Sequence, residues 1–81
     1  MVTLKEIRVA LLEADVLTET ELSAIPDEVL MSLSFSEHLF LDSLDYLVLI
    51  EKLDKYNLLP VSRNNLWECR TVQELLDQLN N

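Results

Sequence analysis

The chain has 81 residues, with 15 acidic against 6 basic side chains and a formal net charge of −9. Its length allows one small domain, residues 1–81, and its charge disfavours nucleic acids and anionic membranes, because like charges repel. The chain contains no glycine, which excludes the phosphate-binding loops of nucleotide-binding folds. No apolar run reaches the length of a membrane span, so we expect a cytoplasmic protein. Its acidic charge favours partner proteins with basic patches.

The first predicted element is an amphipathic helix over residues 3–17. Its charged side chains lie mostly off the apolar stripe of the helix. Its apolar side chains recur at helical spacing, at Leu4, Ile7, Leu11 and Ala14.

Residues 18–41 predict a long ordered connection. Thr18 and Glu21 have the spacing of a capping box, so a short helical turn is expected there. Pro26 interrupts any longer helix, and Asp27 and Glu28 suit the first turn of another. We expect five apolar side chains to pin this connection to the core: Ile25, Val29, Leu33, Phe35 and Leu39.

The third segment predicts the clearest helix, over residues 42–56. Asp42 suits the N-cap, and Asp45 at the third helical position suits the unpaired N–H groups of the first turn. One face carries an apolar stripe, formed by Tyr46, Leu49, Ile50, Leu53 and Tyr56.

The last part of the chain predicts a short helical turn and a final helix. Ser62 suits a cap for the turn from residue 63 to Trp67, while Thr71 and Glu74 form a second capping box. The final helix has one apolar face, with Val72, Leu75, Leu76 and Leu79. The chain is therefore predicted to be all-α, a small bundle of three main helices plus one short helix, with a long first connection.

Apolar side chains also lie on the outer side of the third helix, opposite its core stripe. Leu44, Leu47 and Val48 cluster there, near Ser43. An exposed apolar patch at the start of a helix indicates a protein docking site. Ser43 itself has two interpretations: it is the helix N-cap, if Asp42 is not, or it carries a phosphate ester near the positive end of the helix dipole.

Residues 34–45 read Ser-Phe-Ser-Glu-His-Leu-Phe-Leu-Asp-Ser-Leu-Asp. This segment resembles the signature of acyl carrier proteins, which is Ser-Phe, an acidic pair, Leu, Gly, any residue, then Asp-Ser-Leu-Asp. The resemblance covers the whole chain, and its specific part runs without a gap from residue 34 to residue 73. Length and acidity also agree with the family.

The resemblance implies that Ser43 carries 4′-phosphopantetheine, transferred from coenzyme A by a phosphopantetheinyl transferase. The carrier would be a monomer without catalytic activity, serving acyl- or aminoacyl-activating ligases, ketosynthases or acyltransferases. Partner docking is expected at the start and outer face of the third helix, on Asp42, Leu44, Asp45, Leu47, Val48 and Glu51. An aliphatic cargo would enter a pocket lined by Leu49, Ile50, Leu53 and Leu75.

The chain departs from the family signature at three positions. Phe40 stands where the family has glycine, so we expect the turn before the helix to be made without a left-handed residue. His38 and Val48 replace acidic residues, and Lys52 and Lys55 lie on the same outer side as Val48. The less acidic docking face indicates a dedicated fatty-acid or polyketide type of pathway with its own partners.

Two alternatives remain open at this stage. The first is a stand-alone aminoacyl carrier, because Leu41 directly before Asp42-Ser43 and Trp67 in the short helix resemble features of D-alanyl carrier proteins. We expect Trp67 to be a core or lid residue. The second alternative is an unmodified helical interaction or regulatory module. His38 and Cys69 lack the neighbouring residues that a catalytic or metal site needs. We therefore expect His38 to be a loop histidine and Cys69 to serve as a small apolar side chain.

Overall fold

The computed structural model describes residues 1–59 and 64–80. The helices are α1 (Leu4–Glu13), α2 (Glu19–Ala24), α3 (Asp27–Ser32), α4 (Ser43–Lys55), a 3-10 helix (Asn64–Glu68) and α5 (Val72–Leu79). The all-α bundle is confirmed, with α1, α4 and α5 as the three main helices. The predicted cap Ser62 lies outside the described residues. In the described ranges, no helix is both long enough and apolar enough to cross a membrane.

Helix α1 ends at Glu13, not at residue 17 as predicted. Asp15 takes a left-handed conformation, with φ at 59°. Its N–H donates to the carbonyl of Leu12 at 3.1 Å, and the N–H of Val16 donates to the carbonyl of Leu11 at 3.0 Å. This pair of bonds is a Schellman motif, which satisfies the last carbonyls and turns the chain away from the helix axis.

The first connection contains two short helices, at the two places where the sequence predicted a helical turn and the first turn of another helix. The predicted capping box is confirmed, because Thr18 Oγ1 accepts from the N–H of Glu21 and the Glu21 carboxylate accepts from the N–H of Thr18. Pro26 is the N-cap of α3 and separates it from α2. Each of these helices has only six residues, too few to be stable alone, so tertiary packing must hold them.

Arg8 of α1 attaches this connection to the bundle. Its guanidinium donates to the carbonyls of Leu22 and Ile25 at 2.7 Å each, and to the carboxylate of Asp27 at 2.7 Å. The first two bonds reach carbonyls at the end of α2, where a helix no longer supplies the usual N–H partner four residues further on. One half-buried side chain thus links α1, α2 and α3.

The core is built almost entirely from aliphatic side chains. Helix α1 packs along α4, and α3 packs against α5. The largest fully buried side chains are Ile7, Leu11, Leu30, Leu49, Leu53, Leu66, Val72 and Leu75. Two predicted core positions are wrong: Val29 is 46% exposed, since Leu30 takes the inward side of α3, and Tyr56 is 44% exposed, since it lies beyond the end of α4.

A short bridge ties the segment before α4 to the start of α5. Ser34 pairs with Thr71 in an isolated antiparallel bridge. The N–H of Phe35 donates to the carbonyl of Arg70 at 2.9 Å, and the N–H of Val72 donates to the carbonyl of Leu33 at 3.1 Å. The bridge fixes where the chain begins its approach to α4, and so it positions the candidate site.

Candidate functional site at the start of helix α4

Helix α4 begins with a complete capping box. The Asp42 carboxylate accepts from the N–H of Asp45 at 2.8 Å, and the Asp45 carboxylate accepts from the N–H of Asp42 at 3.2 Å. Asp42 has an extended backbone, as an N-cap requires. The predicted roles of both aspartates at this helix start are confirmed.

Ser43 is the first helical residue rather than the cap. Its side chain is on the surface. The sequence left open whether Ser43 or Asp42 caps the helix, and the structure assigns the cap to Asp42. Ser43 therefore lies, exposed, at the positive end of a 13-residue helix, a location that favours an anionic group.

The loop before α4, residues 34–41, is held by hydrogen bonds to its own first residues. The carbonyl of Ser34 accepts from the N–H groups of His38 and Leu39 at 3.1 Å each, and the carbonyl of Phe35 accepts from the N–H of Leu41 at 2.8 Å. His38 Nδ1 accepts from the N–H of Ser34 at 2.7 Å. His38 is a loop histidine with a structural hydrogen bond, as predicted.

Phe40 adopts a left-handed conformation, with φ at 57°, contrary to our expectation for a position without glycine. The bonds of Leu39 and Leu41 fix the chain on either side of it. A left-handed residue with a Cβ costs about 1–2 kcal/mol. The Phe40 side chain is 81% exposed, so core packing does not offset that cost.

The outer face of α4 carries the predicted apolar residues at the surface. Leu44 is 72% exposed, and Leu47 and Val48 are each 38% exposed. We call these three residues together with Phe40 the outer patch. Phe40 was not among the predicted docking residues, although an aromatic residue at the glycine position of the signature is the signal that marks it.

Acidic side chains accompany the outer patch. Asp42, Asp45 and Glu51, the remaining predicted docking residues, are all exposed on α4 or at its start, and Glu37 is exposed in the preceding loop. The structure thus places all six predicted docking residues on the surface. An apolar patch among acidic groups is complementary to an apolar pocket surrounded by Lys and Arg.

A cleft of about 250 Å³ opens beside Ser43. Its wall contains an aromatic cluster: the ring of Tyr46 lies edge-on to Phe35 at 5.2 Å and to Trp67 at 5.8 Å between centroids. The Tyr46 hydroxyl donates to the carbonyl of Leu66. Trp67 is 55% exposed, so it lies at the rim of the cleft and is not a core residue.

Cys69 also lines this cleft. Burial raises the pKa of its thiol, and burial likewise raises the pKa of the Tyr46 phenol, so both groups are neutral near pH 7. A neutral thiol is a poor nucleophile. Cys69 packs against the core as a half-buried side chain, in agreement with the expected small apolar role.

The four residues predicted to line an acyl pocket belong to the core. Leu49, Leu53 and Leu75 are fully buried and Ile50 is 6% exposed. None of them lines the cleft beside Ser43. An aliphatic chain among them would therefore have to displace packed side chains.

No protein-family model, no curated protein and no solved structure matches this chain. Within residues 1–59 and 64–80, His, Cys, Asp and Glu side chains form no group of three that suits a metal ion. The arrangement around Ser43 is thus the best-defined candidate site: an exposed hydroxyl, a cleft beside it and an apolar patch with an acidic surround.

Proposed function

We propose that this protein is a carrier protein, modified on Ser43 with 4′-phosphopantetheine. The observation that carries the proposal is the division of roles at the start of α4. Asp42 caps the helix, and Ser43, the next residue, is exposed at its first position. A serine that is not needed as a cap is available for modification without loss of the helix start.

The residues around Ser43 suit the attachment of a phosphodiester. The N–H groups of the first turn point out of the helix start, and the helix dipole stabilises negative charge there. The cleft of about 250 Å³ lies directly beside the hydroxyl and has aromatic walls. The first part of a bound arm therefore has room next to its attachment point.

Attachment requires a transferase and coenzyme A. The Ser43 oxygen forms a bond to the phosphorus of the pantetheine phosphate, and the bond between that phosphorus and the bridging oxygen of the pyrophosphate breaks. The 3′,5′-bisphosphate of adenosine leaves, and the hydroxyl proton passes to a base of the transferase. The products balance, and no redox partner is needed.

The bound arm supplies a thiol that holds a cargo as a thioester. This chain's own residues would present the arm and contact the partner enzymes. A flexible tether raises the effective concentration of the cargo at a partner's active site. The acidic surface steers enzymes with basic docking sites toward Ser43.

Intact-mass measurement tests the proposal. The purified chain is incubated with coenzyme A and a broad-specificity phosphopantetheinyl transferase, and we expect the addition of one phosphopantetheinyl group. Ser36→Ala is the matched control, because Ser36 is an exposed serine that lines the same cleft. It should be loaded as the wild type is. An unchanged wild-type mass would favour an unmodified interaction module instead.

Cargo class is tested by thermal unfolding. Acyl-loaded, aminoacyl-loaded and bare holo forms are compared at equal concentration. If a fatty acyl or polyketide-type chain packs among Leu49, Ile50, Leu53 and Leu75, the acyl form should melt at a higher temperature than the bare form. Equal melting temperatures would indicate an exposed cargo and favour the stand-alone aminoacyl carrier.

A further inference from the structure

We propose that Phe40 is an anchoring contact for the phosphopantetheinyl transferase that modifies Ser43, and that this enzyme offers it an apolar pocket surrounded by basic side chains. This inference rests on the function proposed for Ser43. The backbone of Phe40 has a left-handed conformation, with φ at 57°. That conformation suits glycine and asparagine and opposes a bulky side chain.

The ring of Phe40 is not packed in the core, so it adds little to the stability of the fold. The Phe40 side chain is 81% exposed, and among the large apolar side chains that the structure describes only the N-terminal methionine has a higher value. The hydrogen bonds of Leu39 and Leu41 shape the loop through the backbone, so they do not require an aromatic ring at residue 40. A strained and exposed aromatic residue is consistent with a contact made outside the chain.

Because Phe40 lies close to Ser43 in the sequence, the modifying enzyme is the partner that we expect to contact it. Phe40 precedes Ser43 by three residues and Leu44 follows it by one, so an enzyme that reaches the Ser43 hydroxyl must approach the segment that carries both side chains. Enzymes that act on the far end of a long arm need not approach so closely. The two most exposed members of the outer patch, at 81% and 72%, therefore flank the point of modification.

Charge makes a second copy of the chain a poorer partner for the outer patch than a basic enzyme. Glu37, Asp42 and Asp45 are exposed around Phe40 and Leu44. A symmetric dimer through this patch would bring these groups against their own copies, on chains that each carry −9. A basic rim on the modifying enzyme pairs with the same groups favourably.

The test is the loading rate of variants with coenzyme A and the broad-specificity transferase that loads the wild type. Phe40→Asn removes the apolar ring and introduces a residue that tolerates the left-handed turn. Phe40→Gly also removes the ring and permits the same turn with a more flexible backbone. We expect kcat/KM for loading to fall about tenfold in both, as for the loss of one interface anchor. Phe40→Leu should stay within about threefold of wild type.

Val29→Ala is the matched control, since Val29 is an exposed apolar residue on α3, outside the outer patch. Its loading rate should not change. Loading of Phe40→Asn and Phe40→Gly at the wild-type rate would overturn the inference while leaving the proposed function intact. Concentration-dependent dimers of the wild type that are lost in Phe40→Asn would overturn it in favour of a second copy. A wild type that accepts no arm would overturn both proposals.

Discussion

The two ends of α4 each depend on a left-handed residue, but for different reasons. At the C-terminal end, Asn57 has φ at 59°, and its N–H donates to the carbonyl of Asp54 at 2.9 Å. The N–H of Leu58 donates to the carbonyl of Leu53 at 3.1 Å, and the Leu58 side chain packs against the core. The turn there completes a Schellman motif and returns the chain to the bundle.

At the N-terminal end, the left-handed residue is Phe40, and its side chain faces solvent. Asparagine tolerates this conformation because its short side chain can bond locally, whereas phenylalanine gains no such compensation. The C-terminal turn is thus explained by folding alone. The N-terminal turn is not, and it lies beside the exposed Ser43, which is why we assign function to that end of the helix.

The largest expected effect is on the loading of Ser43 at the N-terminal end of α4, with almost no effect on stability. Ser43→Ala should abolish phosphopantetheine loading completely, measured by intact mass. The free energy of unfolding should change by less than about 1 kcal/mol, because Asp42 retains the cap. A Ser43→Ala chain that fails to fold, by circular dichroism, would show that the serine is structural.

The next prediction contrasts buried and exposed faces of α4. Leu53→Ala should lower the free energy of unfolding by about 2–5 kcal/mol, since Leu53 is fully buried and its loss leaves a cavity. Leu44→Ala should change it by less than about 0.5 kcal/mol, since Leu44 is 72% exposed. Urea denaturation measures both, and equal losses would contradict the assignment of the two faces.

A pair of backbone substitutions sharpens the comparison of the two turns. Asn57→Ala should destabilise the chain by about 1 kcal/mol, because alanine resists the left-handed conformation. Phe40→Gly should stabilise it by about 0.5–1 kcal/mol, the relief of backbone strain less the entropy cost of glycine. Thermal melts should shift in opposite directions, and a loss of stability in Phe40→Gly would mean that the ring supports the fold.

The smallest expected effect concerns pH and the capping box of α5. Hydrogen bonds from the N–H groups of Arg70 and Thr71 hold the pKa of Glu74 below its ordinary value of 4.5. A pKa depressed by folding contributes stability above pH 4.5, and this contribution is lost as pH falls through the lower folded pKa.

Melting temperatures between pH 6 and pH 3 test this prediction, and Glu74→Gln should flatten part of the acid decline. Glu28→Gln is the control, because Glu28 lies in the first turn of α3, whose N-cap Pro26 forms no capping box. Equal pH profiles for wild type and Glu74→Gln would contradict the role of the carboxylate.

Local patterns in the sequence predicted the helix starts more accurately than the helix ends. The predicted capping boxes at Thr18 and Thr71 and the predicted N-cap at Asp42 are all present in the structure, because a cap depends on side chains only three residues apart. The end of α1 at Glu13 was missed, since without glycine the Schellman motif depends on Asp15, whose preference for a left-handed turn is weaker.

The sequence by itself determined the three main helices, the apolar stripe of α4 from Tyr46 to Leu53 and the exposure of Leu44, Leu47 and Val48, because periodicity and capping are local properties. The tertiary structure decided the outward position of Phe40, the aromatic cleft beside Ser43 and the attachment of α2 and α3 through Arg8. The cleft and the attachment of α2 and α3 require segments distant in sequence to meet, as Ser34 and Thr71 do in the bridge. Contacts of that kind arise from packing and long-range hydrogen bonds, which no local pattern encodes.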